Sequence, residues 1–241
     1  MNVSMTNFQF PFSSLSRKVW RGLFLLLPLL IFASCKDSND EYDPKYDWEA
    51  RNAQWFAEVY DEAKSAIAVA KAQYPNGKEW EDHCDWRLYK TLLKSQDVEG
   101  AATDYIVCKI NKRGEDSKKD GDEDLWSAAY TDSVRLYYRA WIMDENYPTS
   151  KTNMTVFSQT YYGDFDATTA APIAMPVIST VEGFMTAVQY MVKGDDWLVY
   201  IPQQLGYKAE SSDYIPAYST LLYRIQMERV HKSGTGMPGW R

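Results

Sequence analysis

Val134-Arg135-Leu136-Tyr137-Tyr138-Arg139-Ala140-Trp141-Ile142 alternates, with Val134, Leu136, Tyr138, Ala140 and Ile142 on one side and Arg135, Tyr137, Arg139 and Trp141 on the other. A period of two marks an extended strand in a sheet with one face buried. Working outward, Tyr105 to Ile110 is rich in β-formers, and a charged loop from Asn111 to Asp124 separates it from the alternating stretch. Val156-Phe157, Trp197 to Ile201, and the alternating Leu221, Tyr223, Ile225 and Met227 supply further strands. One helix interrupts the series: Phe184, Val188 and Met191 share a face, and Ser179-Thr180-Val181-Glu182 reads as a capping box at its start. The order predicts an α+β fold, an antiparallel sheet crossed by a single helix.

Ahead of the sheet, Trp48, Asn52, Trp55, Phe56, Val59, Ala63, Ile67 and Ala70 recur at spacings of three and four. Asp43-Pro44 suits a cap and first turn, and Pro75-Asn76-Gly77 a stop, so the pattern predicts one amphipathic helix over 44–74. Its stripe brings no convergent polar groups, and the helix is expected to serve architecture and not chemistry. Residues 78–100 fit both a helix (Trp80, Cys84, Leu88, Thr91) and a short extended piece (Trp86, Leu88, Leu92).

The first residues read differently. Arg17, Lys18 and Arg21 precede an apolar run from Leu23 to Ala33 and the small residues Ala33-Ser34 before Cys35, the layout of an export signal. At roughly 1.5 Å per residue the run falls short of the ~30 Å hydrocarbon core, so it does not read as a permanent span. Phe32-Ala33-Ser34-Cys35 resembles the bacterial lipobox, which implies lipidation of Cys35 and stable anchoring by several acyl chains. The acidic Lys36-Asp37-Ser38-Asn39-Asp40-Glu41 that follows resembles the tethers of exported lipoproteins of Bacteroidetes-type bacteria; a plain solvated spacer is the other reading. The expected organisation is a signal peptide over 1–34, a tether over 35–43, an N-terminal helical extension over 44–103, the sheet domain over 104–232 and a flexible tail over 233–241. These resemblances imply an exported, lipid-anchored chain at the outer membrane, on its periplasmic or its cell-surface face.

Composition excludes several classes. The chain of 241 residues is 45% hydrophobic and 24% charged, which suits a packed core and not a disordered chain. A net charge of −7 is the wrong sign for a nucleic-acid partner. Gly234, Gly236 and Gly239 satisfy a dinucleotide fingerprint, but no helix follows to hold pyrophosphate. Asp120, Asp122 and Asp124 imitate a calcium loop that then lacks its turn glycine and its bidentate glutamate. His83-Cys84-Asp85 does not converge on zinc, and with two histidines in the chain acid–base partners are scarce. No metal or cofactor is expected. Cys84 and Cys108 leave a disulfide and two buried thiols as alternatives.

Four motifs in the C-terminal half carry a resemblance. Val181-Glu182-Gly183-Phe184, then Val188 through Met191 to Gly194, then Ile201-Pro202-Gln203-Gln204-Leu205-Gly206-Tyr207, then Ile215-Pro216-Ala217-Tyr218-Ser219-Thr220-Leu221 resemble, in order and spacing, the FKBP-type peptidyl-prolyl isomerases. Upstream, Val134 to Ala140 and Val156-Phe157-Ser158 resemble two strands of that family, so coverage is about residues 104–230. The resemblance implies a bent antiparallel sheet wrapped around one short helix. It also implies an aromatic pocket for proline-containing segments, walled by Tyr138, Phe157, Ile215 and Tyr223 and floored by Phe184. Val181 would offer its amide and Tyr207 its hydroxyl, with Ser158 where the family carries a carboxylate. Phe184 stands for the family's Trp, Lys208 for a Gly, Ala217 for a Pro, and no aromatic falls at Ile173 to Met175; the roomier floor at Phe184 and the lost carboxylate at Ser158 imply reduced activity. The alternatives are a non-catalytic peptide-binding or chaperone lipoprotein on the same fold, and a carbohydrate-binding surface lipoprotein suggested by 9 Trp and 18 Tyr.

Overall fold

Alternation governs the molecule as the sequence predicts, and one sheet results. A computed structural model describes residues 47–114, 127–144, 154–236 and 239. Helix α1 (Trp48–Gln73) is followed by strands β1 (Trp86–Lys90), β2 (Tyr105–Lys112), β3 (Ser133–Met143), β4 (Met154–Gln159) and β5 (Ile173–Pro176), helix α2 (Glu182–Tyr190), and strands β6 (Asp196–Ile201) and β7 (Leu221–His231). The seven strands run in the order β1-β2-β6-β7-β3-β4, with β5 also on β3, and all pairs are antiparallel. Central strand β3 pairs β7 along one edge; its other edge is shared by β5 at Ser133–Leu136 and β4 at Arg139–Met143. Tyr138 sits at the gap between those two partners. There Thr160 closes the ladder, its amide donating to Tyr138 O and its Oγ1 accepting the Tyr138 amide at 3.0 Å.

Pleating sends neighbours on β2 and β6 to opposite faces. On one face Ile106, Cys108, Val199 and Ile201 form the main core with Phe184, Ala187 and Val188 of α2. Gly183 lets α2 sit this close: a Cβ there would lie 2.3 Å from the Ile201 side chain, so the residue must be glycine for lack of space and not for backbone conformation. On the other face Val107, with Trp86, Leu88 and Tyr200 beside it, packs against Phe56 and Ala63 of α1. Each large side chain buried this way contributes roughly 1.5–3 kcal/mol.

Several expectations are corrected. The described helix starts at Trp48, with Asp47 at the cap position in the left-handed region (φ 54) and no side-chain cap; Asp43-Pro44 lies outside the described residues. The ambiguous stretch holds a 3-10 turn (Glu79–Asp82) and then strand β1, so the sheet begins at Trp86, inside the segment read as a helical extension over 44–103. Its Arg87 is buried because its guanidinium donates to the carbonyls of Glu81, Cys84 and Trp86 and lies over the Trp80 ring. On β3, Arg135 and Tyr137 are buried as well, so the strand is covered on both sides. Tyr161, Phe165 and Ala170 pack over Tyr137, while Arg135 is held by Glu228 on β7. The capping box does not form. Val181 is the cap residue, Ser179 Oγ donates to Pro176 O at 2.7 Å, and Glu182 accepts the Thr91 hydroxyl at 2.6 Å. Cys84 and Cys108 are both free and buried. No helix among the described residues is long and apolar enough to cross a membrane, and no group of metal-ligating side chains converges among them.

Candidate functional site

The site grows from three strands and the start of α2. Cross-strand pairs place Tyr223 opposite Ala140 and Ala140 opposite Ser158, so a residue without bulk separates two larger neighbours in one row. Between Ala140 and Trp141 the β3–β4 register shifts, leaving Phe157 as the extra residue of a β-bulge. A bulge breaks the alternation that would send Phe157 and Ser158 to opposite faces. Both therefore serve the same side: Phe157 meets Tyr223 edge-on at 5.7 Å, and Ser158 Oγ lies 2.7 Å from the Tyr138 hydroxyl. Tyr223 is the hub, 5.1 Å from Phe184 and 6.0 Å from Tyr138 between ring centres. The edge-to-face contacts of Tyr223 with Phe157 and Phe184 contribute about 0.5–1.5 kcal/mol each beyond burial, and they hold the rings in one arrangement.

Tyr138, Phe184 and Tyr223 wall a cavity of about 480 Å³, which Met175, Val181 and Tyr207 also line together with Ser179, Thr180, Gly206, Lys208 and Glu210. Val181 presents an amide that no described group accepts, because as cap residue it precedes the first helical hydrogen bond, Met185 N–H to Val181 O at 2.9 Å. Tyr207 stands at the rim, 36% exposed. Burial pushes the Tyr223 phenol well above its ordinary pKa, reinforced by the Tyr207 and Tyr138 phenols beside it, so Tyr223 remains a neutral donor at physiological pH.

Of the residues singled out in the sequence, Tyr138, Val181, Phe184, Tyr207 and Tyr223 line the cavity. Ser158, Phe157 and Ile215 do not. Ser158 orients Tyr138, Phe157 backs Tyr223, and Ile215 is buried in the core. Cys35 lies outside the described residues. Sequence reading missed Met175, which fills the wall where an aromatic was sought, because β5 has four residues and no readable period. It also noted Lys208 only as a departure. The structure places Lys208 on the cavity at φ 57, the left-handed conformation that glycine adopts without steric cost.

Residues 127–228 match the model of the FKBP-type peptidyl-prolyl cis-trans isomerase family. The chain carries an FKBP-type domain. It is 29% identical over 103 residues to the FKBP-type 22 kDa peptidyl-prolyl cis-trans isomerase of Escherichia coli strain K12, a match covering 42% of this chain and 43% of that relative. The chain therefore spans less than half the length of the curated relative it matches. Among solved structures, a peptidyl-prolyl cis-trans isomerase of Pseudomonas syringae pv. tomato aligns with TM-score 0.42 and 16% identity, over 73% of this chain and 96% of its own. FkpA from Escherichia coli aligns with TM-score 0.40 and 18% identity, over 77% and 69%. Residues 127–228 hold β3 to β6, α2 and most of β7, while β1, β2 and α1 precede the matched stretch.

Proposed function

We propose that this chain is a peptidyl-prolyl cis-trans isomerase anchored by lipid at Cys35, outside the cytoplasm on the outer membrane, that acts on proline-containing segments of exported proteins. The convergence of three aromatic rings, the Val181 amide and the Tyr207 hydroxyl on one cavity carries the reading. A prolyl bond is held planar by amide resonance, with a barrier of about 18–20 kcal/mol. Rotation needs no covalent step, only a site that favours the twisted amide over the planar one. The rings hold the proline and exclude water from the carbonyl, while Val181 N–H and Tyr207 supply donors for a carbonyl that has lost conjugation. Neither a proton shuttle nor a metal enters this scheme, in keeping with the two histidines of the chain.

A binding-only module is the second reading. It is favoured by one observation: a hydroxyl at Ser158 stands where the family has a carboxylate, and it is engaged by Tyr138. Carbohydrate binding is the weaker alternative, since three of the nine Trp, Trp48, Trp55 and Trp197, are core residues.

Exchange spectroscopy on a short Ala-Leu-Pro-Phe peptide separates the two. Under the isomerase reading, Tyr207→Phe slows turnover by about one hydrogen bond, roughly 0.5–1.5 kcal/mol or up to about tenfold, with a smaller change in affinity. Binding without any rate above the uncatalysed exchange of tens to hundreds of seconds selects the binding module. For the anchor, Cys35→Ala is expected to move the chain from the membrane to the soluble fraction. A variant that stays as firmly bound as wild type, with no acyl groups on wild-type Cys35 by mass spectrometry, refutes it.

A further inference from the structure

Helix α1 does not dock by apolar packing alone. Trp48 Nε1 donates to Ser219 Oγ at 3.1 Å. One turn on, Asn52 is fully buried: its Oδ1 accepts the Thr220 amide at 2.8 Å, its carbonyl accepts the Thr220 hydroxyl at 3.1 Å, and its Nδ2 donates to Trp48 O at 2.8 Å. A buried amide is costly unless satisfied, and an apolar residue would fill the space without that demand. Here every bond goes to the segment just before β7 or to the helix turn that holds Trp48.

That segment is also hydrogen-bonded to a cavity wall. Tyr218 N–H donates to Lys208 O at 2.7 Å, and both residues sit at positive φ, 62 and 57. Non-glycine residues persist there only where the surroundings hold them. Lys208 and its neighbour Tyr207 line the cavity. A continuous path thus runs from Asn52 through Thr220 and Tyr218 to Lys208 and Tyr207.

We propose that Asn52, assisted by Trp48, is a positioning residue: through it α1 holds the 207–220 segment so that the Tyr207 hydroxyl faces a bound prolyl carbonyl. Under this proposal the helix serves the chemistry through the architecture it holds. The proposal rests on the isomerase reading for its kinetic consequence, but not for its structural one, and both are measured in the full chain. Asn52→Ala should lower kcat/KM on an Ala-Leu-Pro-Phe peptide by about tenfold, mainly through kcat, since misplacement of a donor acts on the transition state. Amide exchange at Lys208 and Tyr218 should accelerate while β3 and α2 keep their protection. Trp48→Phe, which retains the ring and loses the donor, should give the same pattern at about two- to fivefold. A folded Asn52→Ala chain whose exchange at Lys208 and Tyr218 stays at the wild-type rate overturns the proposal; if that variant does not fold, unchanged exchange in Trp48→Phe does so. Wild type that binds peptide without turnover defeats the isomerase reading alone, and the exchange measurement still decides the coupling.

Discussion

Helices α1 and α2 cover opposite faces of the same strands, yet they relate to the cavity in different ways. The nine residues of α2 include six that are buried, and its first turn and cap place Phe184 and Val181 on the cavity directly. The 26 residues of α1 bury seven, and none of them lines the cavity. Enclosure on all sides lets a short helix deliver atoms to a site with little freedom. A long amphipathic helix, wet along one side, reaches the site only through what it touches.

The largest expected effect comes from truncating one core ring on each face. Phe184 and Phe56 are both 3% exposed, so Phe184→Ala and Phe56→Ala should each cost about 3–5 kcal/mol in urea or thermal unfolding. Only Phe184→Ala should abolish prolyl-peptide affinity in the protein that remains folded. Equal loss of affinity in both variants would break the distinction between the two faces.

A smaller effect sharpens it. Lys208 lies on the path that joins α1 to the cavity and holds a left-handed conformation that disfavours side chains by roughly 1–2 kcal/mol. Lys208→Gly removes that strain and adds backbone freedom to the unfolded chain, so a net gain of about 1 kcal/mol or less is expected from denaturant midpoints. Destabilisation instead would mean that the lysine stem contributes packing that outweighs its backbone strain.

The smallest effect is a pH dependence shared by both faces. Burial raises the phenol pKa of Tyr223 on the cavity side and of Tyr200 under α1. A group whose folded pKa is raised contributes its stability fully below the unfolded value, near 10 for tyrosine, and loses it as pH rises further. Stability should therefore carry no tyrosine-linked slope from pH 6 to 9 and begin to fall near 10, where Tyr223 alone accounts for about 0.4 kcal/mol. Removing one phenol at a time, with Tyr223→Phe and Tyr200→Phe followed by alkaline titration of unfolding, gives the share of each beside the phenols of Tyr60, Tyr89 and Tyr190, whose pKa burial also raises.

Much of this was legible before any coordinates. Strict alternation from Val134 to Ile142 and from Leu221 to Met227 dictates extended strands, because a period of two leaves no other way to bury one set of side chains. Three- and four-residue spacing from Trp48 to Ala70 dictates a helix for the same reason. The order and spacing of the motifs around Val181, Tyr207 and Ile215 pointed to one pocket, and five of the eight residues named for it line the cavity.

Contacts distant in sequence were not legible. Strand β1 buries Arg87 and Lys90, whose charged groups donate to the carbonyls of Glu81, Cys84 and Trp86 and to those of Ser95 and Val98. The bulge at Phe157 exists only as a register between two strands, and the Asn52–Thr220 bonds join residues 168 positions apart. Local periodicity determined which segments are helix and strand, since that depends on each segment burying its own apolar side chains. Which polar groups are buried, and which helix holds the cavity wall, was decided only by the tertiary structure, because hydrogen-bond partners are supplied by whatever the fold brings alongside.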